Sequence, residues 1–235
     1  MAGFKTHITT STLLGIGGGA AAFAFYHVPL PTCVLAAGLC GVSGMLPDLD
    51  SGPGRPLRES MAFAAAVVPM MLIDRMEQFG LAPETIVLLG GAIYLLIRFG
   101  LGWLLRHYTV HRGMFHSLPA AIIAAELTFL VCSHEHENIA HRIFNAGAVF
   151  AGFMSHLVLD EIWSLDLMHA RIKKSFGTAI KFWGDSFLPN LAAYAILAAL
   201  TFAVLKEPAW TSHHRRSADA PPQQMAKTPA TATRL

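Results

Sequence analysis

Apolar runs follow one another along most of the chain, broken by short polar stretches. A helix that crosses a bilayer needs about 20 apolar residues, since each adds 1.5 Å against a hydrocarbon core about 30 Å thick. Seven runs approach that requirement, at roughly 8–26, 32–47, 61–79, 84–105, 118–133, 143–163 and 187–205. Those at 84–105, 143–163 and 187–205 are the strongest, and the run at 32–47 is short. The run at 61–79 is the weakest, because Pro69 interrupts it and Asp74, Arg75 and Glu77 crowd its far end; a re-entrant segment is the alternative there. The first run carries Gly15, Gly17, Gly18 and Gly19, which suits close helix packing in lipid. It lacks a clear small-residue cleavage site and reads as a retained helix, not a cleaved signal. From about residue 207 the apolar period stops, and Pro, Ala, Thr, Gln and scattered charge take over. The pattern predicts one membrane-embedded domain over 1–206 and a disordered polar tail over 207–235.

Composition narrows the class. Charged residues make up 14% of the 235, against roughly 25% in soluble domains, and mean hydropathy is +0.48. These values exclude a disordered chain, a disulfide-stapled secreted domain and an ordinary soluble enzyme. They point to an all-α polytopic bundle of about seven (six to eight) spanning helices with little mass outside the bilayer. A net charge of +2 is too small for a nucleic-acid binder. Cys33, Cys40 and Cys132, an odd number in apolar stretches, read as small core residues and not as disulfides or thiolate ligands. Short-loop Lys and Arg, among them Arg55, Arg58, Arg106 and Arg112, favour the N-terminal side over the side with Arg75 and Arg142, which predicts a cytoplasmic N-terminus.

Four polar patches interrupt the apolar background: His7 in THITTS, Asp48 and Asp50 in PDLD, His111, Arg112, His116 and Ser117 in HRGMFHS, and His156 and Asp160 in SHLVLDEIW. With seven crossings all four fall on one membrane face; if the third run did not cross, PDLD and HRGMFHS would part. His156 and Asp160, four apart, point the same way on a helix. Imidazole and carboxylate without thiolate suit Zn²⁺, with Mn²⁺ or Fe²⁺ as alternatives. Seven candidate ligands (His7, Asp48, Asp50, His111, His116, His156 and Asp160) exceed one tetrahedral site, so a two-metal centre that activates a water and clamps a phosphoryl group fits them. Arg112 and Ser117 are candidates for a phosphate oxygen, and Asp160 is a candidate catalytic group as well as a ligand. Each patch alone has a plainer reading: a packed His–Asp pair, a common loop, an interfacial histidine. Their joint occurrence on one face is what favours a site.

Other polar residues read differently. His134, His136 and His141, in HEHENIAH, lie on the opposite face and are assigned to solvent or adventitious metal, as are His213 and His214. Glu126 and Arg98 lie at similar depth in antiparallel helices, which predicts an ion pair. Trp163 and Trp183 read as interface anchors. Glu161, Asp166, Asp185 and His169 lie near the same face as the four patches, as supporting groups or bases.

The order His7, PDLD, HRGMFHS and HLVLD resembles the bacterial inner-membrane metal-dependent hydrolases, the YdjM-like family that includes proteins described as LexA-regulated or LexA-binding. The likeness covers about residues 1–165, and the HRG..HS and H...D elements are its most specific marks. It implies a multi-pass inner-membrane protein, a divalent-metal site on the seven ligands named above, and hydrolase activity. The HxxxD element is also similar to that of zinc-dependent phospholipases C, which hold a multinuclear zinc centre on a helical scaffold. The expected function is hydrolysis of a membrane-associated ester or phosphoester by a metal-activated water, with membrane lipids as the partners, the site at the cytoplasmic rim and Arg112 offsetting developing charge. The alternatives are an ion or small-solute transporter, and a regulatory or scaffolding protein with a structural metal. Substrate, metal count and oligomeric state stay open at this level.

Overall fold

The computed structural model describes residues 3–50, 54–104, 114–132, 139–166, 171–172, 180–208 and 210. Among the described residues, eight α-helices carry the fold: α1 (Phe4–Tyr26), α2 (Leu30–Ser43), α3 (Arg55–Met71), α4 (Ile73–Gln78), α5 (Pro83–Leu95), α6 (Leu118–Val131), α7 (Ile139–Ser164) and α8 (Phe187–Leu205). A 3₁₀ turn, Leu46–Asp50, follows α2, and a π-helical turn, Leu96–Leu101, continues α5. A two-residue antiparallel pairing, Leu165–Asp166 with Arg171–Ile172, is the sole β element among the described residues. The third apolar run does form one continuous apolar span over Pro56–Gln78. Leu72, three residues after the helix-interrupting Pro69, separates α3 from α4 within it.

Among the described residues, five spans are long and apolar enough to cross a bilayer, at Phe4–Tyr26, Pro56–Gln78, Pro83–Leu104, Ile139–Ser164 and Phe187–Leu205. Helices α2 and α6 are shorter, 14 residues each, or about 21 Å. Their shortness has a consequence at one end of the bundle. The chain next to each, Leu46–Asp50 after α2 and Met114–Ser117 before α6, turns within the space that a longer helix would fill.

Helix α7 is the central element, packed on α1, α2 and α6, with α8 on the far side of α6 and α3 on the Leu46–Asp50 turn and α5. Its buried positions Asn145, Val149, Gly152, His156 and Asp160 recur at three- and four-residue spacing, one face of a helix. Backbone contact replaces side-chain interdigitation where α1 and α7 meet α2. A methyl on Gly15 would sit 2.7 Å from the Ala37 carbonyl, and one on Gly152 would overlap the Cys40 carbonyl and the Ser43 hydroxyl. Small residues at such crossings let helices approach without a hydrophobic drive. Large apolar side chains such as Leu88, Leu96, Leu188 and Phe202 are exposed, as lipid-facing residues are.

Arg142, counted as a loop cation, belongs to the first turn of α7 and is buried. Its guanidinium donates to the Phe129 carbonyl at 2.8 Å and to Glu207 at 3.2 Å, and Glu207 also accepts from Arg75 at 2.8 Å. The tail is likewise held at its start: beyond Glu207, the Trp210 indole donates to the Val204 carbonyl and stacks on Phe129. Residues 211–235, with His213 and His214, lie outside the described residues. Cys33, Cys40 and Cys132 are all buried, as small core residues are.

Candidate metal centre

The site lies at the end of the bundle where α1 begins and α2 and α7 end. His7 occupies the first turns of α1 and is buried. Ser11, one turn later, holds that segment against α2, its hydroxyl 2.9 Å from the His7 carbonyl and 2.8 Å from the Gly41 carbonyl. Asp48 comes from the 3₁₀ turn, His116 from the turn before α6, and His156 and Asp160 from successive turns of α7. Four distant segments thus bring five ligand-type side chains to one place.

The distances define two groups. His7 Nε2 is 3.3 Å from Asp160 Oδ1, and His156 Nε2 is 3.6 Å from Asp160 Oδ2. Asp48 Oδ1 is 3.6 Å from His116 Nε2 and 3.7 Å from His156 Nε2. Donor atoms of His7, His156 and Asp160 all lie within 4.8 Å of one another, and so do those of Asp48, His116 and His156. Gaps of 3.6–3.7 Å exceed hydrogen-bond length. Two atoms each bound about 2.0–2.2 Å from one tetrahedral cation stand about 3.4 Å apart, so the observed spacing fits ligands that share an ion.

His156 is the hinge of the arrangement. Its Nδ1 lies 2.7 Å from the Gly44 carbonyl, which can only accept, so Nδ1 carries a proton and Nε2 is the atom left for a ligand. That Nε2, like His7 Nδ1, is buried without a hydrogen-bond partner. A buried imidazole nitrogen is costly to leave unmade, and at His156 Nε2, which faces Asp160 and Asp48, a cation would supply the missing partner. With Nδ1 committed, His156 has one lone pair for two groups, so a second ion would draw on further donors. The carboxylates differ in access: the Asp48 side chain is 23% exposed and Asp160 3%. Burial alone would push the Asp48 carboxyl up, but the His116 ring beside it, with His156 and His7 beyond, more than offsets this and holds it below its ordinary value.

Of the residues singled out in the sequence, His7, Asp48, His116, His156 and Asp160 converge. His111 and Arg112 lie outside the described residues, as do the Asp50 side chain, His134, His136 and His169. Ser117 departs from its expected part as a phosphate-binding group. It is fully buried, donates to the Met114 carbonyl and accepts from Ala120 N as the N-cap of α6, so its hydroxyl is spent on holding the turn that carries His116. The expected Arg98–Glu126 pair is not formed. Glu126 faces α8 and accepts from the Thr201 hydroxyl at 2.7 Å, while Arg98 lies over the ring of Phe99 in the π turn. His141 and Glu161 join neither ligand group. Trp163 and Trp183 are both exposed. The Gly44 carbonyl has no side-chain signature in the sequence, and the Ser11 hydroxyl, though visible there, has backbone partners that are not.

A family model described as YdjM inner membrane protein matches residues 1–205. No curated protein and no solved structure matches the chain.

Proposed function

We propose that this chain, which belongs to the YdjM inner membrane protein family, is a divalent-metal-dependent hydrolase of a membrane-associated ester or phosphoester. One observation carries the reading: two carboxylates and three imidazoles from four segments lie at ligand spacing inside an otherwise apolar bundle, with His156 Nε2 unpartnered. Ionisable groups at such depth are expensive unless paired or bound to a cation. His7, His156 and Asp160 would hold a first ion; Asp48 and His116, joined by His111 and Asp50, are the donors for a second. Zinc suits imidazole and carboxylate, with manganese or iron as alternatives. When bound, such an ion supplies Lewis-acid charge stabilisation and makes a water nucleophilic near neutral pH. The protein's own side chains do the rest. Asp160, sealed from solvent, would orient His7 and His156, whereas Asp48 is the more accessible carboxylate and would face the attacking water from the second ion's side. Arg112 is the candidate for offsetting charge on the leaving phosphoryl oxygen. The site end of the bundle is assigned to the cytoplasmic side with the N-terminus, on the loop-charge argument.

The test is metal content and turnover in one preparation. Purified protein is expected to retain stoichiometric divalent metal and to hydrolyse a member of a phospholipid panel read by mass spectrometry, with chelation abolishing turnover. Protein without bound metal, in which His156→Ala and Asp160→Ala leave the lipid profile unchanged, would overturn it.

A further inference from the structure

A cavity of about 720 Å³ opens between α3 on one side and α6 and α8 on the other. Its wall is almost wholly apolar. Its upper wall is built from the neighbours of the candidate ligands: Leu46 and Leu49 flank Asp48 in the 3₁₀ turn, and Met114 and Phe115 precede His116. From there it follows α6 from Ala120 to Val131, about 16 Å of helix, or half of a hydrocarbon core about 30 Å thick. That is the depth one leaflet's acyl chains occupy. Volumes of about 300–1,000 Å³ are those of ligand sites.

A second observation is independent of the cavity's shape. Ser60 lines it at the site end of α3, beside Met61, which packs with Leu49 of the Asp48 turn. Ser60 is 1% exposed, and its hydroxyl has no hydrogen-bond partner. A buried hydroxyl without a partner costs free energy, and the ester or phosphate oxygen of a lipid would supply one.

We infer that this cavity seats one acyl chain of a glycerophospholipid, with the lipid's ester region at Ser60 and its headgroup phosphoester beside Asp48 and His116. The inference rests on the hydrolase reading for what happens to the headgroup, but the seat itself is defined by the cavity and Ser60. It makes the substrate a bilayer lipid drawn sideways between α3 and α6, not a soluble phosphoester that meets the site from water.

The experiment uses the full chain in phosphatidylcholine nanodiscs doped with a phosphatidylglycerol that carries a diazirine midway along one acyl chain. After illumination, labelled residues are mapped by mass spectrometry. Cavity positions Ile123, Ala124 and Phe153, none of them exposed, are expected to label roughly tenfold above the outward Leu88 and Leu95 of α5, as for a seat that buries most of its occupant. Ala124→Trp and Ala193→Trp, which fill the cavity from α6 and α8, are expected to cut that labelling roughly tenfold, with bound metal unchanged. Ser60→Ala adds no volume and is the mild variant; loss of one hydrogen bond predicts a fall of about two- to tenfold. Even labelling of inward and outward residues, or labelling indifferent to all three variants, would overturn the inference. The two readings fail separately. Cavity labelling in protein that holds no metal sinks the hydrolase and leaves the seat, whereas metal-dependent turnover of p-nitrophenyl phosphate without cavity labelling sinks the seat and leaves the hydrolase.

Discussion

The imidazoles of His7 and His156 stack face to face, their centroids 3.6 Å apart and their planes 13° from parallel. The contact joins the first turns of α1 to the last third of α7, and both rings turn Nε2 toward Asp160. The His116 ring meets His156 edge-on at 5.6 Å. His156 therefore belongs to both ligand groups, whereas His7 belongs to one and His116 to the other. The variants should differ accordingly. Of the three, His156→Ala is expected to lose the most bound divalent metal, since it removes a ligand of the first ion and a ring packed against His116 of the second group. His7→Ala and His116→Ala are each expected to keep part of it, with affinity lowered by about 10–100-fold or more. Metal analysis of the dialysed variants checks this, and equal retention in all three would contradict the shared role of His156.

The Gly44 carbonyl fixes the ring of His156 without touching the metal position. A methyl on Gly44 would overlap the Ser11 side chain, so Gly44→Ala must move that backbone or that serine. Either shift loosens the bond to Nδ1. The expected result is metal affinity lowered by about 10–100-fold, the usual effect of disturbing a ligand's outer partner, together with about 1–3 kcal/mol of overpacking. Metal titration and thermal melting in detergent measure the two separately.

Much of the site was legible because its chemistry is carried by side-chain type. Histidines and aspartates stand out against an apolar chain, and an even number of crossings between them puts them at one end. What escaped is carried by backbone or by azimuth. The Gly44 carbonyl has no residue signature. Depth alone pairs Arg98 with Glu126, but depth fixes height along a helix and not the direction in which a side chain points, and Glu126 points to Thr201 on α8. Arg142 reads as a loop residue because hydropathy falls where a charge appears; the partner that lets it sit inside the helix, Glu207, is far away in sequence. The same blindness to distant partners placed the start of the polar tail at Glu207, which is held by two arginines.

Ser117 separates a structural from a catalytic part for the HRGMFHS segment. As an N-cap its hydroxyl serves Ala120 N, and replacing it with alanine should cost about 0.5–2 kcal/mol of stability. Ser117→Ala is therefore expected to melt earlier while keeping its metal and the greater part of its turnover. A variant with unchanged melting but turnover lowered by about a hundredfold or more, the loss of a transition-state contact, would restore Ser117 as a substrate-binding group.

Glu126 offers a test against a transport function. Its Oε1 accepts from Thr201, and its Oε2 is buried without a partner, so a full charge there is poorly matched to its surroundings. A glutamine keeps the acceptor for Thr201 and removes the charge. Glu126→Gln is expected to leave metal content and lipid turnover unchanged and to leave thermal stability equal or raised, because a neutral amide is cheaper than a carboxylate at that depth. A carboxylate that carried protons or cations through the bilayer would behave otherwise. Its neutralisation would abolish flux in proteoliposomes loaded with a pH- or metal-sensitive dye. The polar groups of the candidate centre all lie at one end of the bundle, so no such flux is expected from the native chain, and dye-reported flux lost in Glu126→Gln would reassign the protein to transport.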